Sequence, residues 1–417
     1  MVHKDMNQKP ELLVPLNDCK TLYEGGCVLK NGDAFYFGLQ NSLNMRTRAG
    51  NFNCDDVEDL VEKVHAASKK LYLCTNTIIY NDELDQLRDN IKTAKNVGVD
   101  GVICHDMAAI EVAKSENVSF HVSTQANISN VLSANYYSKI GAERLILARE
   151  LNLTQIKEIV ENTEAEIEIF IHGAMCTAIS GRCYFSAEVM GFDPEYSANR
   201  GRCIQPCRRM YEFMGEEGEQ VRFLPDTGMF FNAKDLCMIE HIDKVIATGV
   251  HSLKIEGRMR NPRYIATVAR CYREAIDAVF SDDYSCERIA GWKSELEAVF
   301  NRGFHTGFYL TQPSSEDVET KIRGNVSKVR RRKIGIVKNY YRKAGAVEVE
   351  LTNGNLKIGN HLVFENQADF YYEMTAESMQ IDGKSVQNTD VASADHHIVV
   401  GIKADRFIPR NSQVYVL

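Results

Sequence analysis

The segment EIFIHGAMCTAISGRCYFS, residues 168–186, decides the fold of this chain and gives the first access to its chemistry. It starts with a short, mostly apolar run of β-branched and aromatic residues, which is typical of a buried strand. Cys176 and Cys183 follow the run, and six residues separate them. Ser180 and Gly181 lie between the two cysteines and allow a turn. The segment predicts a strand that leads into a loop with two converging thiols.

Three more cysteines follow the opening segment. Cys203, Cys207 and Cys237 follow within about sixty residues of Cys176, among glycines, arginines and other polar residues. Thiolates are soft ligands, and three or four of them at one point favour zinc or an iron–sulfur cluster. The spacing differs from the C-x₂-C pairs of zinc ribbons and most ferredoxins. We favour an iron–sulfur cluster over zinc, and zinc over thiols without a metal.

Short apolar runs alternate with helical patterns on both sides of the opening segment. The predicted strands are residues 11–16, 34–39, 71–76, 101–106, 120–125, 144–148, 166–173 and 252–257. Eight βα units in this order predict a (β/α)₈ TIM-like barrel within residues 1–311, rather than an open doubly wound sheet. No GxGxxG motif follows the first strand, so the usual dinucleotide signature is absent.

The seventh and eighth predicted strands are unusually far apart. About eighty residues separate them, where a simple βα unit needs about thirty. We therefore predict an insertion over residues 176–236, after strand seven. Because loops after barrel strands form the catalytic face, the insertion would hold the cysteines over the barrel mouth.

Downstream of the last barrel strand, the pattern predicts two helices within residues 262–300, the first capped by Asn261 with Pro262 in its first turn. The polar residues 312–332 are predicted to be a linker. Residues 333–417 contain short strands with Asn-Gly and Asp-Gly turns, which predict a small all-β barrel.

Composition limits the classes of function. The net charge of −8 argues against indiscriminate binding to polyanions. No apolar run is long enough for a signal peptide or a membrane span, so we expect a cytoplasmic protein without membrane contact. Three local basic groups are a weak indication of an anion or RNA surface. They are Arg202, Arg208 and Arg209; Lys254, Arg258, Arg260 and Arg263; and Lys328 with residues 330–333.

Polar side chains stand at or just beyond the ends of the predicted strands, where they would converge on one cavity. As catalytic candidates we take His172, Glu150 and Glu256, and as substrate-binding candidates Asn76, Asp106, Gln125, Lys254 and Arg258. The alternative is that these groups hydrogen-bond one another to fill the barrel top. His172 would then be a structural donor, and Lys254 and Arg258 would neutralise Glu256.

The opening segment resembles the signature of the collagenase-like peptidase family U-32, E-x-F-x-x-G-x-M-C followed by S-G-x-C-x-x-S. The resemblance extends over nearly the whole chain and includes PELLVPL, HVSTQANISN, LARELNL, NAKDLCMIE and SLKIEGRMRNPRYIATVARCYREAIDA. It implies a short C-terminal barrel of the translation-factor type. It also implies a [4Fe–4S] cluster on Cys176, Cys183, Cys203 and Cys237. In some relatives the C-x₃-C pair supplies two ligands, so the position of Cys207 in the set stays open.

Better-characterised relatives in this family are hydroxylation factors, among them proteins that modify tRNA wobble uridine at C5 or a ribosomal RNA cytidine. The resemblance implies tRNA, or rRNA, as substrate, and association with prephenate, an acidic metabolite, and with the iron–sulfur assembly machinery. Two alternatives are a collagenase-like peptidase and a cluster-containing accessory subunit paired with a second family member. The sequence contains neither HExxH nor GxSxG.

Overall fold

The computed structural model describes residues 8–17, 27–40, 43–211, 213–214, 220–221, 229–329, 331–366 and 370–417. The chain divides into two compact units, Met1–Ser327 and Lys328–Leu417. The division falls inside the predicted linker, residues 312–332. Before the division, the chain forms backbone hydrogen bonds within the first unit, from Glu319 N to Asn232 O (2.8 Å) and from Val326 N to Asn301 O (2.9 Å).

The first unit is built around a closed parallel barrel of eight strands with helices between them. Its described strands are β1 (Glu11–Pro15), β2 (Ala34–Phe37), β3 (Lys70–Thr75), β4 (Gly101–Cys104), β5 (Phe120–Val122), β6 (Arg144–Ile146), β7 (Glu166–Ala174), β8 (Phe213–Met214), β9 (Gln220–Val221), β10 (Asp235–Cys237), β11 (Ser252–Ile255) and β12 (Phe304–His305). Strands β1 to β7 pair in sequence order, and β11 pairs with both β7 and β1, which closes the barrel. This confirms the predicted barrel.

Amphipathic helices cover the barrel. They are α1 (Cys27–Asn31), α2 (Val57–Ala66), α3 (Leu84–Asn96), α4 (Met107–Ser115), α5 (Val131–Lys139), α6 (Leu153–Glu161), α7 (Phe185–Val189), α8 (Ile242–Ile246), α9 (Pro262–Phe280) and α10 (Cys286–Ala298). Helix α9 starts as predicted: the Asn261 side chain accepts a hydrogen bond from Tyr264 N at 2.9 Å. Its apolar face, which includes Val268 and Tyr272, is buried against the strands. No helix in the described ranges is long and apolar enough to span a membrane.

The insertion returns to the barrel through β10. This short strand pairs antiparallel with β7, so Asp235 lies opposite Ala174 and Cys237 opposite His172. Cys237 is the last residue of this strand. A three-residue strand is too short to give a periodic signal. The insertion is therefore tied at both ends to β7.

The second unit is an antiparallel all-β structure, as predicted. Its strands are β13 (Arg332–Tyr341), β14 (Ala346–Leu351), β15 (His361–Glu365), β16 (Tyr371–Thr375), β17 (Met379–Ile381), β18 (Lys384–Val386), β19 (Ile398–Lys403) and β20 (Gln413–Val416). They form one sheet in the order β16-β15-β20-β13-β14-β19-β17-β18. Asp382 (φ 49°) and Gly383 (φ 75°) make the predicted two-residue turn between β17 and β18. Alternate residues such as Val347 and Val349 fill a separate apolar core.

Candidate functional site

The mouth of the barrel contains one carboxylate among three guanidinium groups. Glu256 follows β11, and its side chain is 12% exposed. Arg46 Nε donates to Glu256 Oε1 at 3.1 Å. Burial alone would raise the pKa of Glu256, but Arg46, Arg149 and Arg258 together lower the pKa below its usual value. Glu256 is therefore ionised at neutral pH, and the three arginines leave a surplus of positive charge around it.

Neutral partners hold two of these arginines in place. Arg258 is 2% exposed and donates through Nη2 to Asn44 Oδ1 at 2.8 Å and to Asn51. Arg149 Nη1 donates to the carbonyl of Ala174 at 2.8 Å. The Nε atoms of both arginines are buried and have no hydrogen-bond partner among the described residues. A buried unpaired donor in a functional cleft indicates a site for water or a ligand.

Two glycines lie where a side chain would collide with Glu256 or Arg258. Gly173 has φ +110°, and a side chain there would collide with the carbonyl oxygen of Glu256. Gly38 lies against the Arg258 guanidinium in the same way. The glycine of the opening segment is thus explained by the approach of β7 to the residue after β11.

Asn76 and Gln125 form a polar group on the opposite side of the mouth. Asn76 Nδ2 donates to Ser123 Oγ at 3.1 Å and to Gln125 Oε1 at 3.2 Å, while its Oδ1 accepts from Met45 N at 3.1 Å. Gln125 contacts the insertion, because its side chain packs against Gly181. The structure therefore places both predicted binding residues at the mouth, below the cysteine-bearing loop.

Four cysteines of the insertion are neighbours. Burial raises the pKa of Cys183, and the thiolates of Cys176 and Cys207 raise the pKa further. Burial likewise raises the pKa of Cys203, to which Cys207 and Cys176 contribute in the same direction. Glu256 raises the pKa of Arg46, and Cys203 and Cys176 add to this effect. Arg46 therefore interacts electrostatically both with the thiols and with the carboxylate of Glu256 at the barrel mouth.

Hydrogen bonds from the rest of the insertion support these cysteines. Asn199 Oδ1 accepts from Cys183 N at 2.9 Å, and Cys203 Sγ accepts from Gln205 N at 3.2 Å. Gln205 has a positive φ of 56°, a conformation that a non-glycine residue adopts at some energetic cost. The buried Arg208 side chain donates to the carbonyl of Met175, the residue before Cys176. The loop geometry around the thiols is therefore fixed by specific side chains.

Cys237 lies apart from the other four cysteines. It is buried, and its sulfur is 3.7 Å from the hydroxyl of Tyr272 on α9. Burial raises the pKa of Cys237 to about 11, and the main groups that act on it are the Ile239 backbone, the Tyr272 hydroxyl, Glu240 and Lys293, none of which belongs to the insertion. The structure does not bring Cys237 together with Cys176, Cys183 and Cys203. It brings Cys207 to them instead.

The donor set suits a soft metal centre, although the side chains do not form a closed metal site. In the described ranges, no group of three or more His, Cys, Asp or Glu side chains is arranged to hold a metal ion. The grouping of Cys176, Cys183, Cys203 and Cys207 nevertheless supplies four thiols, which is the number that a [4Fe–4S] cluster requires. These four residues would hold such a cluster.

His172 faces away from the barrel mouth. The pairing of β7 with β11 shifts register, because Lys254 pairs with Phe170 whereas Ile255 pairs with His172. The shift turns His172 toward α9, where its Nδ1 lies 3.2 Å from Tyr272 Oη. Burial lowers the pKa of His172 to about 4. The histidine is neutral and enclosed by aromatic rings, which matches a structural donor rather than the predicted catalytic group.

Three further predicted residues have other partners. Lys254 Nζ donates to Glu168 Oε1 at 2.9 Å inside the barrel, and not to Glu256. Asp106 caps α4: its Oδ1 accepts from Ala108 N at 2.9 Å and its Oδ2 from Ile79 N at 3.0 Å. Glu150 lies exposed in the turn after β6. The structure pairs none of these three side chains with Glu256.

Sequence reasoning missed Arg46 and Arg149. Arg149 immediately precedes Glu150, so the strand-end rule chose the neighbouring residue of the same turn. The guanidinium carbon of Arg149 lies 4.0 Å from the ring centre of Phe170, a residue of β7 that faces into the barrel. Arg46 belongs to a loop without regular periodicity, and no spacing rule points to it.

Comparison with known proteins gives the same family as the opening segment. The chain matches the family model described as Peptidase family U32 over residues 24–319. A Methanocaldococcus jannaschii protein named an uncharacterized protease is 38% identical over 98% of each chain. A Porphyromonas gingivalis protein named collagenase is 34% identical over 94% of each. A Bacillus subtilis protein named tRNA hydroxylation protein P1 is 35% identical over 84% of this chain and 82% of its own.

The fold and the site define a TIM-barrel protein whose mouth is covered by a cysteine-rich insertion. With a family model that matches most of its length and relatives that align almost end to end, the chain belongs to peptidase family U32.

Proposed function

We propose that this protein is an RNA hydroxylation enzyme that modifies tRNA wobble uridine at C5, with rRNA as the alternative substrate. The observation that carries the proposal is the position of four neighbouring thiols beside the Arg46–Glu256 pair at the barrel mouth. A relative that is 35% identical is named tRNA hydroxylation protein P1. Such an enzyme would work in the cytoplasm, where its RNA substrates are found.

A [4Fe–4S] cluster held by Cys176, Cys183, Cys203 and Cys207 is part of the proposal, with zinc as the alternative. When bound, a cluster supplies one-electron transfer at the mouth of the barrel. The iron–sulfur assembly machinery would load it. The nearby Arg46 would offset part of the negative charge that four thiolates bring to the site.

The residues of the mouth have distinct roles in this proposal. Glu256 is ionised, so it would accept a proton or orient a donor rather than act as an acid. The amides of Asn76 and Gln125 provide the donors and acceptors that read the edge of a pyrimidine ring in a flipped nucleotide. The barrel interior below them would exclude water from the reacting atoms.

A small acidic metabolite such as prephenate, which has two carboxylates, fits the charge of the mouth. One carboxylate, Glu256, faces three guanidinium groups, and two of these, Arg149 and Arg258, have unpaired buried Nε atoms. Planar guanidinium groups bind carboxylates through paired hydrogen bonds. Calorimetry with prephenate should show binding to the wild type and at least tenfold weaker binding to Arg149→Met. Equal binding by both proteins would remove Arg149 from the site.

The substrate assignment is tested by nucleoside mass spectrometry of tRNA from a strain that lacks the gene. We expect 5-hydroxyuridine-derived nucleosides to disappear and to return with the wild-type gene, but not with Cys183→Ala. A Cys54→Ala gene is the control, because Cys54 is exposed and lies outside the insertion. Unchanged tRNA with altered rRNA cytidine would move the proposal to rRNA, and unchanged RNA of both kinds would reject it.

A collagenase-like peptidase is the second candidate, because a relative that is 34% identical is named collagenase. A cysteine peptidase needs a histidine beside the nucleophile. Among the described residues, the main groups that shift the pKa of Cys183 and Cys203 are other cysteines, backbone amides and Arg46, and none is a histidine. Digestion of denatured collagen by the purified protein, abolished in Cys183→Ala, would favour this candidate over hydroxylation.

An accessory role is the third candidate. In that case the protein would carry its cluster to a second family member that performs the reaction. Purification from the native organism tests this idea, since a stable second family member in equal amount would support it. Hydroxylation of tRNA by the purified chain alone would reject it.

A further inference from the structure

The two units of the chain differ in charge. Residues 1–327 contain 36 Lys and Arg against 47 Asp and Glu, a net charge of −11. Residues 328–417 contain 13 Lys and Arg against 10 Asp and Glu, a net charge of +3. The net charge of −8 for the whole chain is the sum of these two values and does not show the difference. A basic unit on an acidic protein is the electrostatic pattern of a binding surface for a polyanion.

The second unit also carries aromatic rings in contact with arginines. The guanidinium carbon of Arg342 lies 5.4 Å from the ring centre of Phe407, and Phe407 packs edge-on against Tyr340 at 5.5 Å. The guanidinium carbon of Arg406 lies 5.1 Å from the ring centre of Tyr372. Since Arg406 and Phe407 are consecutive residues, these contacts form one continuous surface. We call Tyr340, Arg342, Tyr372, Arg406 and Phe407 the aromatic–arginine patch.

The patch is accessible, and its cations are not committed to carboxylates. Phe407 is 50% exposed and the side chains of Arg342 and Arg406 are exposed, whereas Tyr340 and Tyr372 are half-buried. Within the described ranges, no carboxylate lies within 4 Å of the charged nitrogens of Arg342, Lys343 or Arg406. Asp405 accepts a hydrogen bond from the hydroxyl of Tyr372.

The basic run at the start of the unit differs from the patch. Arg331 donates to Glu365 Oε2 at 2.8 Å, and Arg332 donates to the carbonyl of Asn355 at 3.3 Å. Arg330 lies outside the described residues. The basic run is therefore partly neutralised, whereas the patch has arginines without carboxylate partners and the exposed ring of Phe407.

We propose that the aromatic–arginine patch binds single-stranded RNA, with bases stacked on Phe407 and Tyr340 and phosphates held by Arg342 and Arg406. Nucleic-acid bases stack on aromatic side chains whatever their sequence, and arginines beside them hold the backbone. This inference rests on the proposed function, to which it adds the surface that captures the RNA. The specificity for one nucleotide would remain with the barrel mouth.

The test is fluorescence anisotropy of the full-length protein with a labelled single-stranded RNA of about fifteen nucleotides, a length suited to one such surface. The double variant Arg342→Ala/Arg406→Ala should bind about tenfold or more weakly than wild type, and Phe407→Ala should weaken binding several-fold. The matched control is Lys357→Ala/Lys384→Ala, which removes two charges from exposed positions of the same unit. Equal loss in both double variants would show charge attraction alone and overturn the stacking site.

Two further measurements keep the inference separate from the proposed function. Poly-glutamate carries charge but no bases, so it should displace the RNA poorly; efficient displacement would favour an acidic protein partner and contradict the inference. RNA binding is measured without any reaction. Weak binding by the patch variants in a protein that modifies no RNA would support the patch and reject the enzyme. If the patch variants bind RNA normally and the protein hydroxylates tRNA, the proposed function is supported and the RNA-binding patch is rejected.

Discussion

The two ends of the barrel contain opposite arrangements of charge. At the mouth, the single carboxylate of Glu256 is surrounded by three arginines. At the amino-terminal end, the single guanidinium of Arg144 is surrounded by three carboxylates: Glu11 at 2.5 Å, Glu166 at 2.6 Å and Glu168 at 3.3 Å. A concave region of about 1050 Å³ opens beside Arg144. Lys254 also pairs with Glu168, so this network has two cations and three carboxylates, whereas the network at the mouth has three cations and one carboxylate.

The two arrangements also differ in how completely their hydrogen bonds are made. Glu168 is fully buried, and it accepts from Lys254 at 2.9 Å and from Ser252 Oγ at 3.1 Å in addition to its contact with Arg144. At the mouth, buried Nε atoms of Arg149 and Arg258 have no partner among the described residues. A satisfied network stabilises the barrel, whereas an unsatisfied one is ready for a ligand. The difference assigns stability to the Arg144–Glu168 network and chemistry to the network at the mouth.

The largest effect should come from breaking the amino-terminal network. Glu168→Gln leaves Lys254 buried without its carboxylate, and we expect a loss of about 3–5 kcal/mol in the free energy of unfolding. Glu166→Gln is the control: its side chain is 40% exposed, and the loss should be under about 1 kcal/mol. Urea denaturation followed by circular dichroism measures both. Similar losses would mean that burial does not distinguish the two carboxylates.

The pH dependence of stability tests the residue that sequence analysis assigned to the mouth. Burial lowers the pKa of His172 from 6.5 to about 4, so the unfolded chain binds a proton in this range and the folded protein does not. The contribution of His172 is complete above pH 6.5 and is lost as the pH falls toward 4, by about 3 kcal/mol. Urea denaturation across this range should show a flatter curve for His172→Gln than for wild type.

His396→Gln provides the matched comparison, since His396 is exposed and forms no ion pair with another described residue. This variant removes a histidine without disturbing the core, so comparing the two slopes shows how much of the change in His172→Gln depends on burial. A His172→Gln variant that retains the wild-type slope, or that loses tRNA hydroxylation while its stability is unchanged, would return His172 to the catalytic site.

A smaller effect on stability is expected from replacing Arg46 at the mouth. Arg46→Met removes the charge-assisted hydrogen bond to Glu256, and we expect tRNA hydroxylation to fall about tenfold to a hundredfold. Stability should change by less than about 1 kcal/mol, because the Arg46 side chain is 30% exposed. Arg88→Met on α3 is the control and should leave activity near wild type, because the Arg88 side chain is 58% exposed and pairs only with Asp85 of the same helix among the described residues. If Arg46→Met unfolds the protein as strongly as Glu168→Gln, the two ends do not differ as described.

The sequence predicts the barrel well because its strands are continuous apolar runs. The predicted segment 166–173 and the strand β7 (Glu166–Ala174) differ by one residue. It also places Asn76, Gln125, Glu256 and Arg258 at the mouth, since side chains after parallel strands converge there. These predictions succeed because they depend only on short apolar runs and on the polar residues that follow them.

The failures have tertiary causes. A register shift between β7 and β11 turns His172 out of the barrel, and no residue spacing reveals such a shift. Glu168 lies inside the barrel and pairs with Lys254, which the sequence pattern predicts to be a substrate-binding residue. Cys237 ends a three-residue strand against Tyr272, and Cys207 takes its place near the other thiols. Each of these outcomes depends on contacts between distant segments.

The choice between Cys207 and Cys237 is therefore the central claim, and iron analysis tests it most directly. Wild type, Cys207→Ala and Cys237→Ala are purified without oxygen, and iron, sulfide and the visible spectrum are measured, with circular dichroism to confirm folding. We expect about four iron and four sulfide per chain in wild type. The Cys237→Ala protein should keep them, and the Cys207→Ala protein should lose them while remaining folded. Iron retained in Cys207→Ala and lost in folded Cys237→Ala would contradict the account.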